Sequence, residues 1–115
     1  MAFKIKRTGF EEGIYDVRIV ESELKYFNDG KEAIRIKVEN SKKQTHNFLI
    51  FTTNYYLIES LLNVTFDSWD DDEEFNEQDL VGVEMRIDTV RNGSYLNIIN
   101  IQPIEKVQDY EEFEF

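Results

Sequence analysis

Two short segments of this 115-residue sequence combine cationic and aromatic side chains beside residues that favour tight turns. They carry Lys25, Tyr26, Phe27 and Lys31 around Asn28-Asp29-Gly30, and Arg91 and Tyr95 around Asn92-Gly93. Lysine and arginine bind phosphate oxygens, and aromatic rings stack on the flat faces of unpaired bases. Both segments therefore supply the two kinds of contact that a single-stranded nucleic acid requires.

Further cations lie on the polar phase of the segment between residues 13 and 40. Ile34, Ile36 and Val38 alternate with Arg35 and Lys37, and this period of two is typical of a strand with one buried face. Arg18 lies on the preceding strand and is expected on the same outward side. The alternation predicts one face for the core and another that presents Arg18, Lys31, Arg35 and Lys37 to a polyanion.

Other residue types give little sign of catalysis. His46 is the single histidine, there is no cysteine, and neither a phosphate-binding glycine loop nor a nucleophile elbow is present. The acidic run of residues 70–74 lacks the spacing and the central glycine of an EF-hand loop. We therefore interpret it as a solvated loop and expect no enzyme, no bound metal and no cofactor.

The elements that position these residues follow from local patterns. The segment 13–40 predicts two strands joined through Asn28-Asp29-Gly30, and residues 45–53 predict a third. Asn54 is suited to cap a short amphipathic helix that runs to about Asn63. After an acidic loop at 66–79, residues 80–90 and 94–101 predict a second hairpin around Asn92-Gly93, and Pro103 ends its last strand.

Five strands with one helix between the third and the fourth is the element order of an OB-fold. We therefore predict an all-β, five-stranded Greek-key barrel, in which the first-to-second and fourth-to-fifth strand loops flank the ligand face. An open α+β sheet is the alternative that the same element order allows. The predicted domain covers residues 1–104, and residues 105–115 form an acidic C-terminal tail.

The charge distribution is uneven. The formal net charge is -11, but residues 1–46 hold ten Lys and Arg against eight Asp and Glu. Residues 47–115 hold three against sixteen, so the balances are +2 and -13. Such asymmetry favours a nucleic-acid surface in the first half. The absence of cysteine and of any apolar run of about 18 residues predicts a cytoplasmic protein without a membrane span.

The last seven residues interleave aromatic rings with acids, and the chain ends on phenylalanine. They are Asp109, Tyr110, Glu111, Glu112, Phe113, Glu114 and Phe115. A terminal ring beside the α-carboxylate suits capture in a partner pocket rimmed by basic residues. We expect removal of these residues to leave folding intact and to strengthen nucleic-acid binding slightly, because a nearby anion competes with phosphate.

Over its whole length the sequence resembles phage-type single-stranded-DNA-binding proteins of the OB-fold class. The resemblance is carried by GIYDVRIVESE, by NDG followed by AIRIKVE, by VGVEMRIDTVRNGSYLNIINI and by the ending EEFEF. It implies a protein that coats single-stranded DNA in replication or recombination. It also implies a DNA role for Lys25, Tyr26, Phe27, Arg35, Lys37 and Tyr95, and recruitment of partner proteins by residues 109–115. Where the bacterial tip has proline before the last phenylalanine, this chain has Glu114.

Two further expectations concern partners. A strongly acidic small protein can instead act as a DNA mimic that occupies the positive groove of a host DNA enzyme, and the acidic loop and tail favour that alternative. Exposed strand edges of a partly open barrel invite pairing, which favours a homodimer.

Overall fold

The first hairpin is the longest element of the fold. The computed structural model describes residues 10–70 and 73–104. Strand β1 (Gly13–Tyr26) pairs antiparallel with β2 (Glu32–Asn40), as the alternation of apolar residues predicts. Gly30 adopts a φ of 87° at the tip, a conformation that glycine enters without steric cost. The Phe27 N–H donates to the Lys31 carbonyl at 2.9 Å and closes the loop.

A β-bulge divides β1 into two halves. The register shifts between Ile19 and Glu21, so the inward residues change phase from Val17 and Ile19 to Ser22 and Leu24. A bulge of this kind bends the strand and increases its twist. Before the bulge, Gly13 to Arg18 pair with β4, and Val17 to Ile19 also pair with β2. Beyond the bulge, β1 pairs only with β2.

The third strand and the helix follow the predicted order. Strand β3 (Thr45–Phe51) pairs with β2, and helix α1 spans Tyr55–Thr65. Asn54 is its N-cap, because the Asn54 side chain accepts a hydrogen bond from the Leu57 N–H at 3.4 Å. The helix extends two residues beyond the predicted end at Asn63, and its apolar stripe is buried through Leu57, Leu61 and Leu62.

The second hairpin begins later than predicted. Residues Glu77–Leu80 form a 3-10 helix, and β4 spans Glu84–Asn92 before β5 (Tyr95–Gln102). The prediction that β4 starts at Leu80 is wrong, because Gly82 has a φ of 95° and turns the chain. The Gly82 N–H nevertheless donates to the Ile19 carbonyl at 2.7 Å and anchors this turn on β1.

The sheet has the order β3-β2-β1-β4-β5 with antiparallel pairing throughout. The described part of the chain is thus mostly β with one α-helix, as predicted. The sheet is not closed by hydrogen bonds between β3 and β5, although these two edges approach each other and α1 contacts both. The described strands thus form one open sheet, whereas the prediction was a five-stranded Greek-key barrel. Fully buried core residues include Ile19, Ile36, Val38, Met85 and Ile87.

No helix among residues 10–70 and 73–104 is long and apolar enough to span a membrane. The predicted acidic tail at 105–115 lies outside the described residues.

Candidate nucleic-acid interface

The outward side chains of β1, β2 and β3 form rows that cross all three strands. We call this surface the outer face. One row joins Lys25, Ala33 and Phe51; the next joins Glu23, Arg35 and Leu49; the third joins Glu21, Lys37 and Asn47. Residues in such rows are close enough for direct side-chain contact. The outer face therefore combines aromatic and aliphatic side chains with both signs of charge.

One end of the outer face is apolar and accessible. The Phe27 and Phe51 rings lie 5.7 Å apart between centroids, and their exposed fractions are 39% and 37%. Leu49 is 45% exposed on the same strand as Phe51. Tyr26 is 72% exposed at the end of β1, but it shares the phase of Leu24 and so lies on the opposite side of the sheet. The Phe27 and Phe51 rings provide flat surfaces on which unpaired bases can stack, and Leu49 adds apolar surface beside them.

Arg35 occupies the centre of the outer face and makes three side-chain contacts. Its Nε donates to Glu23 Oε1 at 2.9 Å, and its Nη2 lies 3.4 Å from Glu21 Oε1. Its Nη1 donates to Asn47 Oδ1 at 2.6 Å. The hydrogen bond from Arg35, together with the nearby Lys25 charge, lowers the pKa of Glu23 below its ordinary value. Arg35 is thus held in place between two carboxylates and an amide.

The other predicted cations of the hairpin also have carboxylate partners. Lys37 lies 3.7 Å from Glu21, and Lys25 lies 4.0 Å from Glu23. At the loop, Lys31 lies 3.8 Å from Asp29. These pairs are partly or largely exposed, so each contributes little to stability and can be exchanged for other ions.

Arg18 has more acidic surroundings than the other predicted residues. Its Nε lies 3.8 Å from Glu84 Oε2, and the two residues line a cleft together with Asp16 and Glu39. Arg18 therefore lies on the same side of the sheet as the outer face, but it shares its cleft with three carboxylates.

The second predicted loop meets the outer face at β3. A cleft of about 290 Å³ separates β3 from the β4–β5 hairpin, and Arg91 and Tyr95 line it opposite Asn47 and Leu49. Tyr95 is 73% exposed. Because Asn47 lines this cleft and also accepts from Arg35, it joins the cleft to the centre of the outer face.

Arg91 is directed toward the N-terminal side of β1. Its Nη2 lies 3.3 Å from Glu11 Oε1, and its backbone N–H donates to Glu12 Oε2 at 2.7 Å. His46 lines the same cleft and packs on Phe48, with ring centroids 4.7 Å apart. Partial burial, reinforced by the Arg91 charge, lowers the pKa of His46.

Comparison of the chain with protein-family models and with curated proteins finds no match. Among the described residues, no group of three or more His, Cys, Asp and Glu side chains is arranged to hold a metal ion.

The structure brings most of the predicted site residues together and adds three that the sequence reading missed. Lys25, Phe27, Lys31, Arg35 and Lys37 surround the outer face and its tip, while Arg91 and Tyr95 border it across the cleft. The predicted residue Tyr26 instead lies on the opposite side of β1. The missed residues are Asn47, Leu49 and Phe51. Their signal was the alternation within THNFLIF, which places large apolar side chains on the phase opposite Phe48 and Ile50. The predicted tail residues Asp109 to Phe115 lie outside the described part of the chain.

Proposed function

We propose that this protein binds single-stranded DNA with little sequence preference and coats it during replication or recombination, as the phage-type proteins it resembles do. The observation that carries this proposal is the outer face. It places exposed Phe27, Phe51 and Leu49 beside Arg35 and Lys37 on one side of one sheet. Aromatic and aliphatic surfaces accept any base, and cations accept the backbone, so binding of this kind is sequence-tolerant.

The proposal includes an OB-fold. It is supported by the strand order and by the helix between β3 and β4. It is also supported by a bulged first strand that is shared between two hairpins. In that fold the ligand lies on the strand 2–3 face between the two loops. This is where Phe51, Arg35 and the cleft beside Tyr95 lie.

The carboxylates of the outer face are part of the proposed mechanism. Phosphate groups approach Arg35 and Lys37 while Glu21 and Glu23 are already paired with them. DNA therefore exchanges one anionic partner for another, and its net electrostatic gain at each cation is small. Base stacking on Phe27, Phe51 and Tyr95 then supplies a large share of the affinity.

The acidic tail is proposed to recruit replication or recombination proteins and to compete with DNA for the same cations. This role rests on the composition of Asp109 to Phe115 and on the resemblance. We further propose that the protein acts in the cytoplasm, that it needs no cofactor, and that it is not an enzyme.

An anisotropy titration of labelled oligo(dT) tests the proposal, with a duplex of equal length in parallel. We expect binding at micromolar protein in low salt, with a clear preference for the single strand. The logarithm of the affinity should fall with the logarithm of salt, with a slope of about -0.7 for each phosphate neutralised. Absence of binding to the single strand at low salt would reject the proposal.

A second candidate is an acidic DNA mimic that occupies the basic groove of a host DNA enzyme. The pairing of the outer-face cations with carboxylates favours it, together with the net charge of -11. It predicts no affinity for oligonucleotide and inhibition of a DNA-modifying or repair enzyme. The +2 balance of the first 46 residues argues against it, because a mimic spreads negative charge over its surface.

A further inference from the structure

The acidic loop packs on helix α1 through aromatic side chains. Phe75 contacts Phe66, with ring centroids 5.4 Å apart, and Trp69, with centroids 6.1 Å apart. The Trp69 Nε1 donates to Asn63 Oδ1 on the helix at 2.8 Å. Within the acidic loop, the described acids of the predicted solvated run 70–74 are exposed, whereas the three rings are half-buried.

Between the loop and α1 lies a groove of about 410 Å³, which we call the helix groove. Its walls are mainly apolar and aromatic. They include Tyr55, Ile58, Glu59 and Leu62 from α1, and Trp69 and Phe75 from the loop. Tyr55 is 70% exposed at its rim, and Trp69 and Phe75 are half-buried. The groove thus offers aromatic faces that are already ordered by contacts within the protein.

The chain segment that forms the helix groove carries a single sign of charge. Residues 47–83 contain nine Asp and Glu and no Lys or Arg, and seven of these acids lie in the described part of the chain. Glu59 lines the groove, and Asp67, Asp70, Glu73 and Glu74 on the adjoining loop are all exposed. A polyanion is repelled here, whereas a cationic ligand gains from every one of these charges.

We propose that the helix groove binds a basic segment of a partner protein, one in which an aliphatic or aromatic side chain is flanked by lysine or arginine. The apolar side chain would lie between Trp69 and Leu62. The flanking cations would pair with Glu59 and the loop acids, and would contact the faces of Tyr55 and Trp69, a favourable cation–π arrangement. The described residues that line the groove lie outside the outer face.

The single tryptophan of the chain makes this proposal directly measurable, because Trp69 lines the groove. We would titrate the DNA-free full-length protein with a synthetic peptide that has a central Leu-Phe flanked by lysines, and follow Trp69 emission. We expect a saturable change in emission, with an affinity that falls as salt rises. A peptide of equal charge with Gly-Ser in place of Leu-Phe should bind more weakly.

Two neighbouring tyrosines of α1 provide matched variants. Tyr55 lines the helix groove, whereas the Tyr56 hydroxyl donates to Asn100 on β5 at 2.6 Å and the residue does not line it. Both rings are largely exposed, so neither substitution removes a core residue. Tyr55→Ala should weaken peptide binding roughly 2- to 5-fold, the range expected for a lost cation–π contact, and Tyr56→Ala should not.

Several outcomes would overturn the proposal. Equal binding of the two peptides would show charge attraction without use of the groove, and equal effects of the two tyrosine variants would place the peptide elsewhere. A change in Trp69 emission with protein concentration alone would show that a second copy of the chain fills the groove. All measurements are made without DNA, so their result is independent of whether the outer face binds oligonucleotide.

Discussion

Arg35 donates a hydrogen bond from Nη1 to Oδ1 of Asn47 at 2.6 Å, across the pairing of β2 with β3. This contact fixes a cation at the centre of the outer face and leaves Asn47 between Arg35 and the cleft that Tyr95 lines. A phosphate that reaches Arg35 therefore meets a guanidinium whose orientation is already set. Phosphate binding is opposed by the loss of the contacts that Arg35 makes with Glu21 and Glu23.

The first prediction concerns the ion pair between Glu23 and Arg35. Replacing Glu23 with glutamine removes the carboxylate that pairs with Arg35 and Lys25, so both cations become more available to phosphate. We expect oligo(dT) affinity to rise roughly 1.5- to 5-fold, a small gain because exposed ion pairs are weak. The measurement is an anisotropy titration at fixed low salt.

The matched control for this prediction is Glu74→Gln, which removes the same charge from an exposed position outside the outer face. If both variants raise the affinity equally, the gain reflects net charge alone and Arg35 is not a phosphate contact. An affinity that falls in Glu23→Gln would instead show that the carboxylate positions Arg35 productively.

The second prediction concerns stacking. Phe51→Ala removes one ring of the Phe27–Phe51 pair and should weaken oligo(dT) binding roughly 5- to 150-fold, equivalent to about 1–3 kcal/mol for one stacked base. Because Phe51 is 37% exposed, the protein should remain folded. Circular dichroism of the variant checks that folding is retained.

Tyr56→Ala serves as the comparison for Phe51→Ala, since it removes another exposed ring from the helix that follows β3. Its affinity for oligo(dT) should equal that of the unchanged protein. Equal losses in the two variants would point to a general effect of surface aromatic residues, and no loss in Phe51→Ala would remove the outer face from the proposed site.

The third prediction separates the two phases of β2. Ile36 is fully buried, and Ile36→Ala should lower the free energy of unfolding by about 2–5 kcal/mol in a urea titration. Its neighbour Lys37 points outward and pairs with Glu21, so Lys37→Ala should change stability by less than about 1 kcal/mol. DNA binding should respond in the opposite order: Lys37→Ala weakens it, and folded Ile36→Ala does not. A large stability loss in Lys37→Ala would contradict this division.

Much of the secondary structure was predictable because it depends on local chemistry. Alternation in residues 34–38, the Asn54 cap and the Asn92-Gly93 turn each depend on residues within a few positions of one another. The β-bulge near Val20 was not predictable, because Ile19 and Val20 are both apolar and only the register of β1 against β2 shows where the buried phase changes. The start of β4 was missed for a similar reason: Val81 and Val83 continue an alternation that Gly82 interrupts.

The candidate site was predictable only in part. Loop cations and rings could be recognised by residue type, so Phe27 and Tyr95 were predicted, but residue type alone could not show that Tyr26 lies on the opposite side of the sheet. Their ionic partners could not be found, because Glu21 and Glu23 meet Arg35 only through the register of β1 against β2. Asn47 and Phe51 required knowledge of which face of β3 is covered. Sequence alternation gives two phases, and three-dimensional packing decides which of them is exposed.

The last prediction concerns His46, the only histidine in the chain. Partial burial and the nearby Arg91 charge lower its pKa in the folded protein, so the folded state binds a proton less readily than the unfolded state. Stability is therefore complete above the ordinary histidine pKa of about 6.5 and declines as the pH falls below it. An NMR titration of the imidazole protons should give a pKa below that of an exposed histidine.

The causes of the lowered pKa can be separated by substitution. Arg91→Gln removes the charge and should move the pKa of His46 part of the way back, because desolvation, the larger cause, remains. Arg18→Gln removes an equal charge that pairs with Glu84 away from this cleft, and should leave the pKa unchanged. His46→Gln should reduce the loss of stability between neutral and mildly acidic pH. A pKa of His46 at or above its ordinary value would show that it is not desolvated in the cleft, and the cleft would then be more open to solvent than the packing of His46 on Phe48 implies.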